Sequence, residues 1–235
     1  MKYLIFDKLE SNNIFKQPNL VGIGFCVFDS LEFIDMIKSY LKDSKIGSDT
    51  THANKDYVHY VDDHRNQRYQ FTKFIQNIAF KVYTTYWLGT KGWDMSIYKS
   101  SKVCDLLKNY LLKIKRIQIE PITLIFEEWK VSDYQNLIEL CNSMWIKTEY
   151  KIHSKIDSYS WITDYTLGII KDYIEDTKIN KNKSYTNPSW PEQSIKLVYD
   201  KISLCDIDIY YRERICASKD EFEEWLRKIS RACIS

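Results

Sequence analysis

The sequence predicts an α/β fold in which helices flank a mixed β-sheet, followed by a small α+β extension at the C-terminus. Two apolar runs of strand length stand near the start, and helical patterns then alternate with β-branched and aromatic runs. Of the 235 residues, 44% are hydrophobic and 28% are charged, which is typical of a globular protein with one large domain or two small ones.

Residues 3–7 and 19–28 predict a β-hairpin that is buried on both faces. The first run has four apolar residues before Asp7, the second is almost unbroken, and a polar stretch separates them. Asp7 is therefore expected at the end of its strand, on the rim of the sheet. A carboxylate at that place either caps a turn or takes part in metal chemistry.

The later elements follow from hydrophobic periodicity. Helices are predicted over residues 30–41, 65–78, 100–114, 132–144, 161–174 and 193–201, with a last helix from Ser218. Strands are predicted over residues 80–87, 117–126, 149–157 and 207–211, and a short extended piece over 57–64. Pro121 favours an edge strand or a bulge because proline cannot donate to a ladder. Ser132 is the expected N-cap of its helix.

A stretch rich in Lys, Asn and Ser at residues 178–191 predicts a linker. It divides the chain into a main domain, residues 1–177, and a C-terminal extension, residues 178–235. We expect residues 195–235 to pack as an appendage outside the main sheet, because little of the chain should cross such a boundary.

Charge, cysteines and hydropathy disfavour several classes of function. The net charge of +2 is too small to indicate nucleic-acid binding by itself, and none of the six cysteines forms a CxxC pair, so a zinc knuckle is not expected. Neither GxGxxG nor a P-loop motif is present. The sequence shows no secretory leader and no apolar run of membrane length, so we expect a cytoplasmic protein with reduced thiols and no membrane partner.

Three carboxylates stand at the end of a predicted strand or at the start of a predicted helix. Asp7 ends the first strand, Glu127 ends a later strand, and Asp164 stands at the start of a helix. Carboxylates gathered from strand ends and a helix can hold Mg²⁺ or Mn²⁺ through oxygen ligands, and such ions favour phosphodiester hydrolysis. The pattern alone does not separate this triple from others among the 32 acidic residues.

Two histidines, His59 and His64, flank the acid pair Asp62 and Asp63. A histidine near acids can serve as a metal ligand or a proton shuttle, which makes His59 and Asp62 candidate site residues. The alternative is a solvated helix start, since acids there suit the helix dipole. Lys91, between two glycines, either pairs with a phosphate or is an ordinary surface lysine.

The order of these pieces resembles a family of RNase H-like proteins of bacteria and phages, known as domain of unknown function family 3800. The resemblance extends over residues 3–175. The matching pieces are Tyr-Leu-Ile-Phe-Asp at 3–7, Val-Gly-Ile-Gly-Phe-Cys-Val at 21–27, Val-His-Tyr at 58–60 with the helix after it, the strands at 82–91 and 122–128, and the segment 158–170 with Thr-Asp-Tyr-Thr-Leu-Gly at 163–168.

The resemblance implies an RNase H-like sheet and a metal-dependent nuclease active in phage–host conflict. The acids Asp7, Glu127 and Asp164 would then hold Mg²⁺ or Mn²⁺, with Asp62, Asp63 or His59 assisting. The family usually has Asp-Glu-Ser-Gly after the first strand, whereas Lys8 follows Asp7 here. A lysine beside a ligand would weaken metal affinity or stand in the metal's place. The alternative function is therefore an inactive RNase H-like interaction protein that binds nucleic acid or a protein partner.

Overall fold

A computed structural model of the chain describes residues 1–9, 19–44, 57–89, 95–114, 121–154, 157–175 and 190–208. The predicted loop around Lys91, most of the predicted linker and the predicted helix from Ser218 lie outside the described residues. None of the helices in these ranges is both long and apolar enough to cross a membrane.

Six strands of the described chain form one mixed sheet. They are β1 (Lys2–Leu9), β2 (Asn19–Phe28), β3 (Lys81–Gly89), β4 (Ile122–Glu127), β5 (Thr148–His153) and β6 (Ile202–Asp208), in the spatial order β5-β4-β1-β2-β3-β6. β1, β2 and β3 pair antiparallel, whereas β4 runs parallel to β1, β5 to β4, and β6 to β3. An antiparallel meander that continues into parallel strands is the predicted RNase H-like fold class, which is confirmed.

Six α-helices of the described chain cover both faces of this sheet. They are α1 (Phe33–Ser44), α2 (Arg65–Gln76), α3 (Met95–Ile114), α4 (Val131–Ser143), α5 (Trp161–Ile174) and α6 (Trp190–Val198). α1, α2, α5 and α6 share one apolar cluster with the sheet, and α3 and α4 share the other. In β1, Ile5 and Leu9 point to the first cluster while Leu4 and Phe6 point to the second, so the predicted hairpin is buried on both faces.

Asp7 does not stand at the end of its strand, as the sequence predicted. β1 continues through Leu9, and Asp7 lies within the ladder opposite Gly24, with only 7% of its surface exposed. The ladder extends because Leu9 is itself buried in the core and because its neighbour Lys8 pairs with Ile23.

Three further local predictions are wrong. Pro121 precedes β4, which is an interior strand between β1 and β5, so its missing N–H costs no ladder bond. Ser132 lies inside α4, whose N-cap is Lys130. Residues 57–64 form a turn and not an extended piece, because the N–H groups of residues 62 and 63 both donate to the carbonyl oxygen of His59, at 3.2 and 3.1 Å.

Residues 190–208 of the C-terminal extension join the main sheet, so the expected separate appendage is wrong for these residues. β6 pairs parallel with β3 from Val82 to Trp87 and becomes the edge of the sheet. α6 buries Ile195 and Val198 in the same apolar cluster as α2 and α5. The sequence missed this because a polar stretch marks a loop but says nothing of where the chain returns. The division at residue 177 stays a prediction.

Candidate carboxylate site

Three polar side chains stand in a row across the parallel strands, and we call Asp7, Glu127 and His153 the site row. β1 and β4 are in register through Phe6 and Phe126, so Asp7 and Glu127 follow on neighbouring strands. In the next pair of strands, Glu127 lies opposite His153. Because strand side chains alternate, Asp7 and Glu127 point to the same face as Ile5 and Ile125, which is the face that α5 covers.

The thiol of Cys26 lies near the Asp7 carboxylate. Cys26 is fully buried beneath α5, opposite Ile5 of β1. Burial is the main cause that raises the pKa of Cys26 to about 12, and the negative charge of Asp7 raises it further. The Asp7 carboxylate therefore lies close to the buried side of α5.

The first turn of α5 places Asp164 over the site row. The Ser160 hydroxyl donates a hydrogen bond to Oε2 of Glu127, and the Thr163 hydroxyl donates one to the carbonyl oxygen of Ile5 at 3.2 Å. These two contacts tie the start of the helix to β4 and β1. Asp164, four residues after Ser160, thereby comes next to Glu127.

Asp164 is 5% exposed, so its charge is costly. Burial raises the pKa of Asp164 to about 6. The nearby His59 ring and a hydrogen bond of 2.7 Å from the Tyr60 N–H to Oδ2 lower it, whereas the negative charges of Glu127 and Asp63 raise it. Asp164 is thus a buried acid with acidic neighbours, a setting that a bound proton or cation relieves.

The turn that carries His59 and Tyr60 is held firmly against α5. The Tyr60 hydroxyl donates to Oδ2 of Asp172 at 2.6 Å, and the Arg68 guanidinium lies 4.3 Å from the centre of the Tyr60 ring while contacting Asp172 at 3.4 Å. Gly168 makes room for the ring, because a Cβ at that position would lie 2.2 Å from Tyr60. The turn and the helix therefore position one another at the site.

The two acids of this turn have different surroundings. Asp63 is buried and accepts a hydrogen bond from the Tyr165 hydroxyl, so its carboxylate is anchored in the core. Asp62 is half-exposed, and its Oδ2 lies 3.1 Å from Nδ1 of His59 without the alignment of a hydrogen bond. The structure thus brings His59 to Asp164, while Asp62 lies on the solvent side of His59.

The predicted metal ligands share one face but do not form a three-ligand cage. Across the described ranges, no group of three or more His, Cys, Asp or Glu side chains is placed to hold a metal ion. The role of Asp7, Glu127 and Asp164 as ligands stays a prediction. Mg²⁺ is commonly bound by one or two carboxylates together with water and substrate phosphates, so the pair Glu127 and Asp164 suits it chemically.

His153 is a site residue that sequence reasoning missed. Its Nδ1 lies 2.8 Å from the carbonyl oxygen of Ser154, which can only accept, so Nδ1 carries the proton of the neutral ring. The Nε2 atom is buried and has no hydrogen-bond partner in the described structure. The sequence signal for His153 was the alternating pattern of the predicted strand at residues 149–157, which contains it. The structure pairs this strand with the strand of Glu127.

Glu128 marks the site by its backbone. Its φ of 48° lies in the left-handed region, which is costly for a residue with a side chain. The Glu128 N–H donates to the carbonyl oxygen of His153 at 3.1 Å, and Trp129 then turns into the opposite core. This bend fixes where β4 ends, and with it the position of Glu127.

Lys8 does not face the carboxylates. By strand alternation its side chain leaves β1 on the face of Leu4 and Phe6, opposite to that of Asp7. The hypothesis that the Lys8 ammonium weakens metal affinity, or replaces the metal, stays a prediction. The backbone N–H of Lys8 donates to Oδ1 of Asp7 at 2.7 Å.

Comparison with known proteins gives matches among solved structures only. No family model matches the chain, and no curated protein matches it. One similar structure is ribonuclease H2 from Pyrococcus horikoshii OT3, with 15% identity over 97% of this chain and 100% of that chain, at a TM-score of 0.42. Another is RNase HII from Archaeoglobus fulgidus in a complex with PCNA, with 13% identity over 94% and 100%, at a TM-score of 0.37.

Proposed function

We propose that this chain is a metal-dependent nuclease, or a related phosphodiester hydrolase, whose centre is the face shared by Asp7, Glu127 and Asp164. The observation that carries the proposal is the buried Asp164 carboxyl beside Glu127, with its pKa raised to about 6. Strongly perturbed acids with a specific charged neighbour are typical of functional sites. A purely structural acid is more often paired with a cation, as Asp172 is with Arg68.

Glu127 and Asp164 would hold Mg²⁺ or Mn²⁺, with Asp7 on the neighbouring strand within the same face. Such an ion polarises a phosphoryl oxygen and lowers the pKa of a bound water. The Ser160 hydroxyl orients Glu127, and the Tyr60 N–H orients Asp164, so neither carboxylate needs to reorganise when a cation arrives.

The two histidines supply groups that can move protons. The lone pair on Nε2 of His153 has no partner among the described residues and can accept a proton from a water beside Glu127. His59 lies next to Asp164 on the other side, where a protonated ring would favour the ionised carboxylate. These roles belong to the proposal and depend on a substrate lying across the site row.

The test is cleavage of single- and double-stranded DNA, RNA and an RNA–DNA hybrid by the full-length protein with Mg²⁺ or Mn²⁺. We expect cleavage that EDTA abolishes. The cleavage rate should fall by a factor of about 100 or more in Asp164→Asn and in Glu127→Gln, since several kcal/mol of charge stabilisation are lost. Asp105→Asn, an exposed acid on the opposite face, is the matched control and should keep full activity. Calorimetry should show Mn²⁺ binding that Asp164→Asn weakens.

A catalytically inactive RNase H-like interaction protein is the second candidate. The observation in its favour is that the described residues contain no three-ligand metal group. A folded wild-type protein that neither binds Mn²⁺ nor cleaves any of the four substrates would overturn the nuclease proposal in favour of this alternative, whose partner would be nucleic acid or a protein. The role in phage–host conflict rests on the sequence resemblance alone, and phage plating on cells with and without the gene would test it.

A further inference from the structure

An exposed strand forms one edge of the sheet. Among the described strands, β5 pairs only with β4, so the hydrogen-bonding groups on its outer side are not used by the sheet. Tyr150 and Ile152 are 52% and 49% exposed, and Trp145, in the connection before β5, is 89% exposed. An apolar edge of this kind is a template for pairing with another strand.

The apolar side chains of this edge lie on one face and the charges on the other. Tyr150 packs against Tyr134 of α4 with ring centres 5.5 Å apart, so Tyr150 and Ile152 face the α4 side. Glu149 and Lys151 alternate with them and face the α5 side. Both charged side chains are exposed, and the described residues give neither an ion-pair partner.

We propose that two copies of this chain associate by antiparallel pairing of their β5 strands, centred on Tyr150. A two-fold axis perpendicular to the sheet leaves the two faces of the sheet unchanged. Because residues alternate between the faces and opposite residues share a face, one residue must pair with its own copy at the axis. Centring on Tyr150 sets Glu149 opposite Lys151 of the partner subunit, and by symmetry Lys151 opposite Glu149 of the partner subunit. Centring on Glu149 or Lys151 would instead set like charges against each other, which is unfavourable.

The same register also suits the apolar face. Tyr150 meets the partner's Tyr150, and Ile152 meets the partner's Thr148, so both pairs combine aromatic or β-branched residues, which stabilise cross-strand contacts. Trp145, in the connection before β5, is 89% exposed and adds apolar surface near the end of the partner's strand. The dimer would contain one continuous sheet across both copies and would remove the exposed edge.

The charge pair gives a test that leaves the core untouched. Light scattering coupled to size-exclusion chromatography should show a dimer for the full-length wild type. Glu149→Lys or Lys151→Glu alone should raise the dissociation constant about tenfold or more, because each converts two attractive pairs into two repulsive ones. The double exchange Glu149→Lys with Lys151→Glu should restore the dimer. Lys108→Glu, an exposed lysine on α3, is the control and should change nothing.

Mixing the two single variants is the sharpest measurement. In a heterodimer of Glu149→Lys with Lys151→Glu, both cross-strand pairs are attractive again, so the mixture should dimerise where each variant alone does not. A wild type that stays monomeric up to about 1 mM overturns the proposal, because the charges then only protect the edge. Dimers that survive both single reversals, or a mixture that stays monomeric, overturn it equally.

Discussion

Asp164 shows the cost of burying a carboxyl group at the candidate site. Its carboxyl is buried beside Glu127 and Asp63, and only the Tyr60 N–H and the His59 ring favour its charge. The sequence placed Asp164 correctly in the first turn of a helix, but as an acid on an open rim. Its burial depends on the turn of residues 57–64, which the sequence did not place over α5.

The pKa of Asp164 predicts a specific dependence of stability on pH in metal-free buffer. The unfolded value is 3.8 and the folded value about 6, so the folded state binds the proton more tightly and its stability falls as pH rises between these values. Asp164→Asn lacks this loss. We therefore expect the free energy of unfolding of the variant, relative to that of the wild type, to be roughly 3 kcal/mol higher at pH 7 than at pH 3.5.

Urea unfolding at several pH values measures this difference. Asparagine keeps the oxygen that accepts the Tyr60 N–H, so the comparison isolates the charge. Asp105→Asn, which removes an exposed acid, is the control variant to be measured alongside. A profile for Asp164→Asn parallel to that of the wild type would mean that Asp164 is not a strained buried acid, and the observation behind the proposed nuclease would fail.

At the scale of elements, the packing of the 57–64 turn on α5 decides the shape of the site. The contact is closest at Gly168, where any Cβ would overlap the Tyr60 ring, and that ring is held on its far side by Arg68 and Asp172. The Tyr60 ring therefore cannot move away from Gly168 without breaking its contacts with Arg68 and Asp172. Displacing it would also move the Tyr60 N–H away from Asp164.

Gly168→Ala is expected to destabilise the fold by about 2 kcal/mol, since overpacking outweighs the helix propensity that alanine gains. Chemical denaturation of the full chain measures the loss. In a Tyr60→Ala background the overlap is gone, so Gly168→Ala should there be neutral or slightly stabilising. An equal loss in both backgrounds would show that the close contact with Tyr60 is not the cause.

The elements that sequence reasoning predicted well are those whose pattern reflects their own burial. β1, β2, α2 and α5 carry apolar residues at the spacing their structure requires, so their limits came close. His153 was missed and Pro121 was misread for a different reason. Their meaning depends on which strand lies beside them, and strand order is set by tertiary contacts that no local pattern contains.

At the scale of the whole molecule, residues 190–208 of the C-terminal extension cover one side of the described sheet. β6 covers the outer side of β3, and α6 buries Ile195 and Val198 against α2 and α5. Without them, β3 becomes an exposed edge and apolar surface of two helices meets water. The polar stretch before α6 therefore connects two parts of one sheet, as the structure describes them, although its composition resembles that of a domain linker.

We accordingly expect a chain ending at residue 177 to be far less stable than one ending at residue 208, which keeps both elements. Burial of Ile195 and Val198 alone contributes roughly 3 to 6 kcal/mol, a large part of the stability of an ordinary domain. Urea unfolding followed by circular dichroism compares the two chains, and light scattering reports any aggregation through the uncovered β3 edge. If the shorter chain unfolds with the same free energy as the longer one, residues 1–177 are a self-sufficient domain. In that case the boundary predicted from the sequence is correct, and β6 is only an addition to a sheet that is stable without it.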